Sequence, residues 1–173
     1  MTNDGAPVDD FEVLARRRVV ELGDDIDLDA FAAMFDLFRV SARVIGDLEN
    51  TVHRPIGLSI AGFRVLFTVW VHGSLEPREI ARLSGVSRAA VSGVVNTLER
   101  DGFAARQRVQ ADGRLVTVSV TPAGSTKLRE AYRLQHARER ELFAALPASE
   151  LAQFTTTMRT LLAARPTGAA EGS

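Results

Sequence analysis

The chain has no cysteine among its 173 residues, so neither a disulfide framework nor a thiol switch is open to it. Histidine is sparse. His53, His72 and His136 lie far apart, without the paired spacing of a metal site, and they read as ordinary surface or boundary residues. No Gly-rich phosphate cradle, nucleophile elbow or cluster of histidines and carboxylates occurs. Those absences argue against an enzyme, and no cofactor or metal is expected. The longest apolar run, around Val65 to Val71, is too short to span a bilayer. The opening Met1-Thr2-Asn3-Asp4 lacks the basic-then-apolar order of a signal peptide. The expectation is a cytoplasmic protein with no membrane partner. Lysine is nearly missing too: Lys127 is the sole one among 21 basic residues, a bias read as genome base composition rather than chemistry.

What is present concentrates between Glu76 and Thr121. Pro77 suits a first helical position, where the amide it lacks has no partner anyway. Ile80, Ala81 and Leu83 give that helix an inner face. Gly85 breaks it, as a glycine in a left-handed turn does. Ser87 offers a hydroxyl to cap a second helix, along which Val91, Val94, Val95 and Leu98 form one buried stripe. Two helices joined by a short Gly-containing turn make a helix-turn-helix, whose second helix enters the major groove of DNA. Gly102 ends it. The alternating, Val- and Thr-rich stretch that follows, with Ala111-Asp112-Gly113 in its middle, predicts a two-stranded hairpin, or wing.

This pattern resembles the MarR family of winged helix-turn-helix regulators, of the multiple-antibiotic-resistance-regulator type. The resemblance extends over roughly Asp25 to Arg165. Its most specific parts are Leu98-Glu99-Arg100-Asp101-Gly102-Phe103, Asp112-Gly113-Arg114 and Val120-Thr121-Pro122-Ala123-Gly124. It implies a mainly α fold with a small β wing, the winged domain flanked by N- and C-terminal dimerisation helices. It also implies a homodimer that binds double-stranded DNA, and a small-molecule effector pocket between the dimerisation helices and the winged domain. One branch of the family senses oxidants through cysteine, which this chain cannot do. A urate-responsive branch carries an early tryptophan and an aspartate in the second core helix. Here Trp70 is the only tryptophan and Arg64 stands about where that aspartate would be, so urate is disfavoured.

The chain divides accordingly. Residues 1–24 are an N-terminal extension, expected to be partly disordered with a short helix from Phe11 to Leu22. Residues 25–57 hold a dimerisation helix beginning at Asp27, with Leu28, Phe31, Phe35, Phe38, Ala42 and Ile45 on one face and Leu37 and Val44 on the other. A helix apolar nearly all round is buried on both sides, and a second subunit is the simplest cover. Residues 58–121 form the winged domain, including a helix from Ser59 to His72. Residues 122–165 give two further dimerisation helices, and 166–173 are expected to be a disordered tail.

The side of the second motif helix opposite its buried stripe carries Ala89, Gly93, Asn96 and Arg100, with Ser92 and Thr97 flanking. Ser87 and Arg88 stand at its start. Asn can grip adenine through two hydrogen bonds, Arg88 suits guanine O6 and N7, and Arg100 suits phosphate. Gly93 stands where many relatives place a bulkier polar residue. Either the helix backbone approaches the groove closely there, or a small residue is merely tolerated. Arg114 matches the arginine of the family's wing motif and suits a narrow minor groove. Asp112 is expected to orient it or to shape the turn, and Gly113 replaces a second arginine of typical relatives. Arg106 and Arg108 are either phosphate neighbours or ion-pair partners. From Glu76 to Arg114 there are seven arginines against five carboxylates, a local +2 in a chain of net charge −1. The resemblance places Phe35, Arg39, Arg43, Phe63, Phe67 and Trp70 on the effector pocket wall. For Arg39 and Arg43 the competing reading, which is preferred, is an ion pair with Asp36 and Asp47 respectively.

The expected function is a homodimeric, sequence-specific DNA-binding regulator, a repressor of a pseudo-palindromic operator, open to release by an aromatic or phenolic ligand. The alternative is a winged-helix protein-interaction module without specific DNA binding, against which the arginine at the wing tip argues. Arg114→Ala is expected to weaken operator binding and flatten its salt dependence while leaving the fold intact, as a salt titration of affinity measures. Unchanged affinity would remove the wing from the mechanism.

Overall fold

The computed structural model describes residues 8–108 and 116–164. Helix α1 (Val8–Val19) runs into a single 3-10 turn at Val20–Leu22. Asp27 then opens α2 (Leu28–Leu48), its carboxylate accepting from the Asp29 and Ala30 amides at 3.0 and 2.9 Å. A π-helical turn at Glu49–His53 and a 3-10 turn at Arg54–Ile56 extend it, and the chain then bends by 80° at the break between Ile56 and Ile60. Ser59 caps α3 (Ile60–His72) by accepting from Gly62 N–H at 3.0 Å.

Strand β1 (Ser74–Leu75) leads to α4 (Pro77–Ser84), which opens on its proline as expected. Gly85 follows at φ +66°, in the left-handed region. The Arg64 guanidinium lies across this turn, so that a Cβ on Gly85 would fall 2.2 Å from Nη2. Ser87 caps α5 (Arg88–Arg100) through the Ala90 amide. Strands β2 (Ala104–Arg108) and β3 (Val116–Val120) pair antiparallel, with Arg106 opposite Val118. Thr121 then opens α6 (Pro122–Phe143), and α7 (Ala148–Ala163) follows Pro147.

The wing is broader than its sequence suggested. β1 joins the far side of β3, Ser74 opposite Ser119, and the sheet order is β1-β3-β2. A two-residue strand has no alternation to read, and its partner lies more than forty residues away. The Ala-Asp-Gly tip, with Asp112 and Arg114, lies outside the described residues.

One core joins these elements. Val65, Leu66 and Val69 of α3 meet Val91, Val95 and Leu98 of α5, with Ile80 of α4, Val118 of β3 and Leu128 and Ala131 of α6 closing around them. Leu83 is a correction, since it is more than a third exposed. The inner stripe of α4 is Ile80 and Ser84, four residues apart, and Leu83 falls beside it. At the wing-to-helix junction Thr121 both accepts from Gly124 N–H at 3.0 Å and donates to Gly102 O at 2.6 Å. Gly124 sits against the main chain there: a Cβ would come within 1.9 Å of the Phe103 carbonyl oxygen. No side chain fits that gap.

Helices α2 and α7 bury no residue within the chain. Phe38 of α2 is 69% exposed and Leu162 of α7 is 84% exposed. The expectation that α2 is covered on both sides is therefore not met by this chain alone. Among the described residues no single helix is long and apolar enough to cross a membrane.

His53 is a second correction. Far from lying at the surface, it is fully buried, carried inward with Val52 by the π-helical turn. Nε2 lies 3.0 Å from the Gln135 amide oxygen of α6 and so donates to it, while Nδ1 has no partner. The ring packs 4.8 Å from Phe63. Burial holds the imidazole pKa below its ordinary 6.5, outweighing the opposing pull of Gln135 and Glu49. The unfolded chain therefore binds a proton that the folded one refuses. Stability is fully present above the ordinary value of 6.5 and falls as the pH drops from there toward the lowered value. Denaturant titrations between pH 7 and pH values below 6.5 are expected to show this slope, and His53→Gln is expected to flatten it.

Candidate nucleic-acid interface

Burial of Val91, Val95 and Leu98 turns the other side of α5 to solvent. Ala89, Ser92, Gly93, Asn96, Thr97 and Arg100 are all exposed there, as is Arg88 at the first helical position. The Ser87 hydroxyl is already engaged as the cap, which leaves it an O–H to donate outward. Arg88 has no carboxylate partner among the described residues. Its neighbours differ: Arg78 pairs with Glu76, Arg82 with Glu79, and Arg100 Nε donates to Asp101 at 2.9 Å. Arg88 is thus the cation on this face least encumbered for a base or phosphate. The Arg100–Asp101 pair is exposed and screened by solvent, so a phosphate can displace the carboxylate.

The two readings of Arg106 are resolved in favour of an ion pair. Its guanidinium pairs with Glu99, and Nη1 also donates to Asn96 Oδ1 at 2.8 Å. The Arg106 amide donates to the other Glu99 oxygen at 2.9 Å. Strand β2 is thereby tied to α5 through one carboxylate. Sequence reading missed this link because Asn96 and Arg106 belong to different elements. Arg108 is exposed two residues further along the same strand. A Cβ added to Gly93 would meet no atom within 4 Å, so nothing in the chain demands glycine there. A groove of about 310 Å³ runs beside it, lined by Gly57, Ser59, Val94 and Thr97 among others.

The six residues placed on an effector wall do not come together as one surface. Phe35 and Arg39 form a cation–π contact on α2, with the guanidinium carbon 5.3 Å from the ring centroid. Arg39 also makes the expected pair with Asp36, at 3.5 Å. Arg43 does not pair with Asp47. That carboxylate is held by Arg138 of α6, whose Nη2 and Nε donate to it at 2.8 and 3.1 Å, a contact 91 positions apart in sequence. Arg43 instead lines a groove of about 380 Å³ between α2 and α6, with Val40, Val44 and Leu142.

Phe63, Phe67 and Trp70 form a separate ladder along α3, with ring centroids 5.9 and 6.2 Å apart. Tyr132 of α6 continues it, stacking 6.2 Å from Phe67, and His136 stacks on Tyr132 at 6.0 Å. These two α6 residues were not anticipated, since helical spacing on one segment says nothing about which other segment it meets.

A Gly-terminated helix, a second helix presenting a polar face, and an antiparallel hairpin tied to that helix define a winged helix-turn-helix domain. Comparison with known proteins agrees. The MarR family profile matches residues 58–116. The uncharacterized HTH-type transcriptional regulator YwaE of Bacillus subtilis (strain 168) is 35% identical over 136 residues, spanning 79% of this chain and 80% of that protein. The HTH-type transcriptional repressor YetL of the same organism is 28% identical over 108 residues, 61% of this chain and 64% of that one. Among solved structures, that of Bordetella bronchiseptica BpsR, concerned with regulation of its DNA binding by 6-hydroxynicotinic acid, superposes with a TM-score of 0.68. It is 22% identical and covers 75% of this chain and 97% of that one. The chain belongs to the MarR family. It is a DNA-binding transcriptional regulator, not an enzyme.

Because the space around Gly93 is open, Gly93→Ala is expected to stabilise the fold by about 0.5–1 kcal/mol, the helix-propensity gain, measurable by thermal unfolding. A simultaneous loss of operator affinity would mark close approach of the helix backbone to DNA, and unchanged affinity a merely tolerated glycine.

Proposed function

We propose that this chain acts as a homodimeric repressor of a pseudo-palindromic operator whose half-sites lie about one helical turn apart, as two-fold symmetric dimers require. The observation that carries the reading is the outward face of α5, with Arg88 uncommitted at its start and Asn96 and Arg100 further along. Two copies related by a dyad would present two such faces to successive major grooves. The exposed apolar side chains of α2 and α7 support a dimer built on residues 25–57 and 122–165, because patches of this kind on a soluble chain mark an interface. The name of YetL as a repressor favours repression over activation.

Release by a small aromatic ligand belongs to the same reading. The ladder of Phe67, Trp70, Tyr132 and His136 is a stacking platform open to solvent, suited to an aromatic ring. That BpsR responds to 6-hydroxynicotinic acid supports the chemical class. A cytoplasmic location goes with this role.

The test is a salt titration of the purified protein on a duplex from its own upstream region, beside a scrambled duplex. The expected result is one dimer per site and a large specific excess, with affinity falling steeply as salt rises. Equal, weak binding to every upstream fragment tried would favour the protein-interaction module instead.

A further inference from the structure

The polar end of Asn96 is occupied on one side. Its Oδ1 accepts from Arg106 Nη1 at 2.8 Å, and the same nitrogen pairs with Glu99. A guanidinium offers donors only, so the atom of Asn96 that faces it must be the oxygen. Turning the amide over would set two N–H groups against each other. The arginine is itself fixed from two directions. Glu99 on α5 holds both its guanidinium and its main-chain amide, and Arg106 lies mid-strand opposite the fully buried Val118. The side chain of Arg106 is also partly sheltered, at 31% exposure. Asn96 stands on the exposed side of α5, with its Nδ2 the group left without a partner among the described residues.

We propose that Asn96 reads its base as a hydrogen-bond donor, selecting an acceptor edge such as guanine O6 and N7, and that Arg106 is the positioning residue that imposes this. The inference rests on the operator-binding reading above. It replaces the expectation that Asn96 grips adenine. An adenine grip needs the amide oxygen to accept from N6 while the nitrogen donates to N7. Oδ1 keeps a second lone pair, but a donor reaching it would share the oxygen with a guanidinium and lie beside that cation. An acceptor meets no such competitor, and the cation on the oxygen polarises the Nδ2–H bonds toward it. Guanine, which presents two acceptors on its major-groove edge, fits this side chain better than any other base.

The experiment selects binding sites from randomised duplexes with the full-length protein. It then finds the base pair in each half-site whose preference disappears in Asn96→Ala. The expected result is a G·C pair there, with 7-deazaguanine in place of guanine weakening wild-type binding about fivefold or more, the scale of one good base contact. Arg106→Met, which removes the donors and frees Oδ1, is expected to move the preference at that pair toward adenine and leave the other positions of the half-site as they were. A merely structural role for Arg106 would weaken binding at every position alike.

The base-analogue measurements use the unaltered protein, so they stand even if Arg106→Met fails to fold. An A·T pair whose recognition survives removal of the adenine N6 amino group also supports donor-only reading. An A·T pair whose recognition is lost on that removal overturns it, as does a C selected through its N4 amino group. So does an Asn96→Ala protein with every preference intact. A wild-type protein that selects no sequence at all overturns the operator reading itself, and the role of Asn96 falls with it.

Discussion

Three side chains of α5, Val91, Val95 and Leu98, are each no more than 2% exposed, and burying a side chain of that size is worth roughly 1.5–3 kcal/mol. Their partners, Val65, Leu66 and Val69 of α3, are buried as completely. A rotation of α5 about its axis by one residue would bring Ser92 or Asn96 into this contact and turn a valine out, at a loss of several kcal/mol by the same scale. The orientation of the polar face is therefore a by-product of apolar packing. The face needs no interaction of its own to point outward, so its residues carry no structural burden in the core.

The local parts of this arrangement were legible in the sequence. Pro77, Gly85, Ser87, Thr121 and Pro122 each end or open a helix through local geometry, and each marks a boundary where it was expected. The remainder depends on contacts that no spacing reveals. His53 looked like a boundary residue because a π-helical turn shifts the helical phase just where it occurs. Asp47 was expected to meet Arg43 one turn away and meets Arg138 instead. The aromatic ladder of α3 could be read from its own period, while its extension by Tyr132 and His136 needed the path of α6. Asn96 was placed on the correct face, but its partner Arg106 came from a strand whose phase relative to α5 was not in the sequence pattern.

Leu128 and Ala131 of α6 share the winged domain's apolar core, and a few polar fasteners add to that packing. The Glu99 carboxylate ties β2 to α5. Thr121 ties the start of α6 to the turn at Gly102. Arg138 ties the C-terminal part of α6 to α2 through Asp47, and Gln135 reaches His53 one turn earlier. The links of α6 to Asp47 and His53 join elements far apart in sequence, whereas the Glu99 link spans consecutive elements, and each involves side chains at or near solvent except the one that ends on His53.

The junction at Thr121 has a mechanical meaning. β3 ends at Val120 and α6 begins at Pro122, so one residue separates the wing from a helix of 22 residues. With Gly124 pressed on the Phe103 carbonyl, that residue has little slack to absorb movement. Strand and helix behave as a single crank. A helix of this length is about 33 Å long, so tilting it by about 5° displaces one end relative to the other by about 3 Å. That is close to the length of a hydrogen bond. A small tilt of α6 is thus large enough, at the wing end, to make or break a contact of hydrogen-bond length.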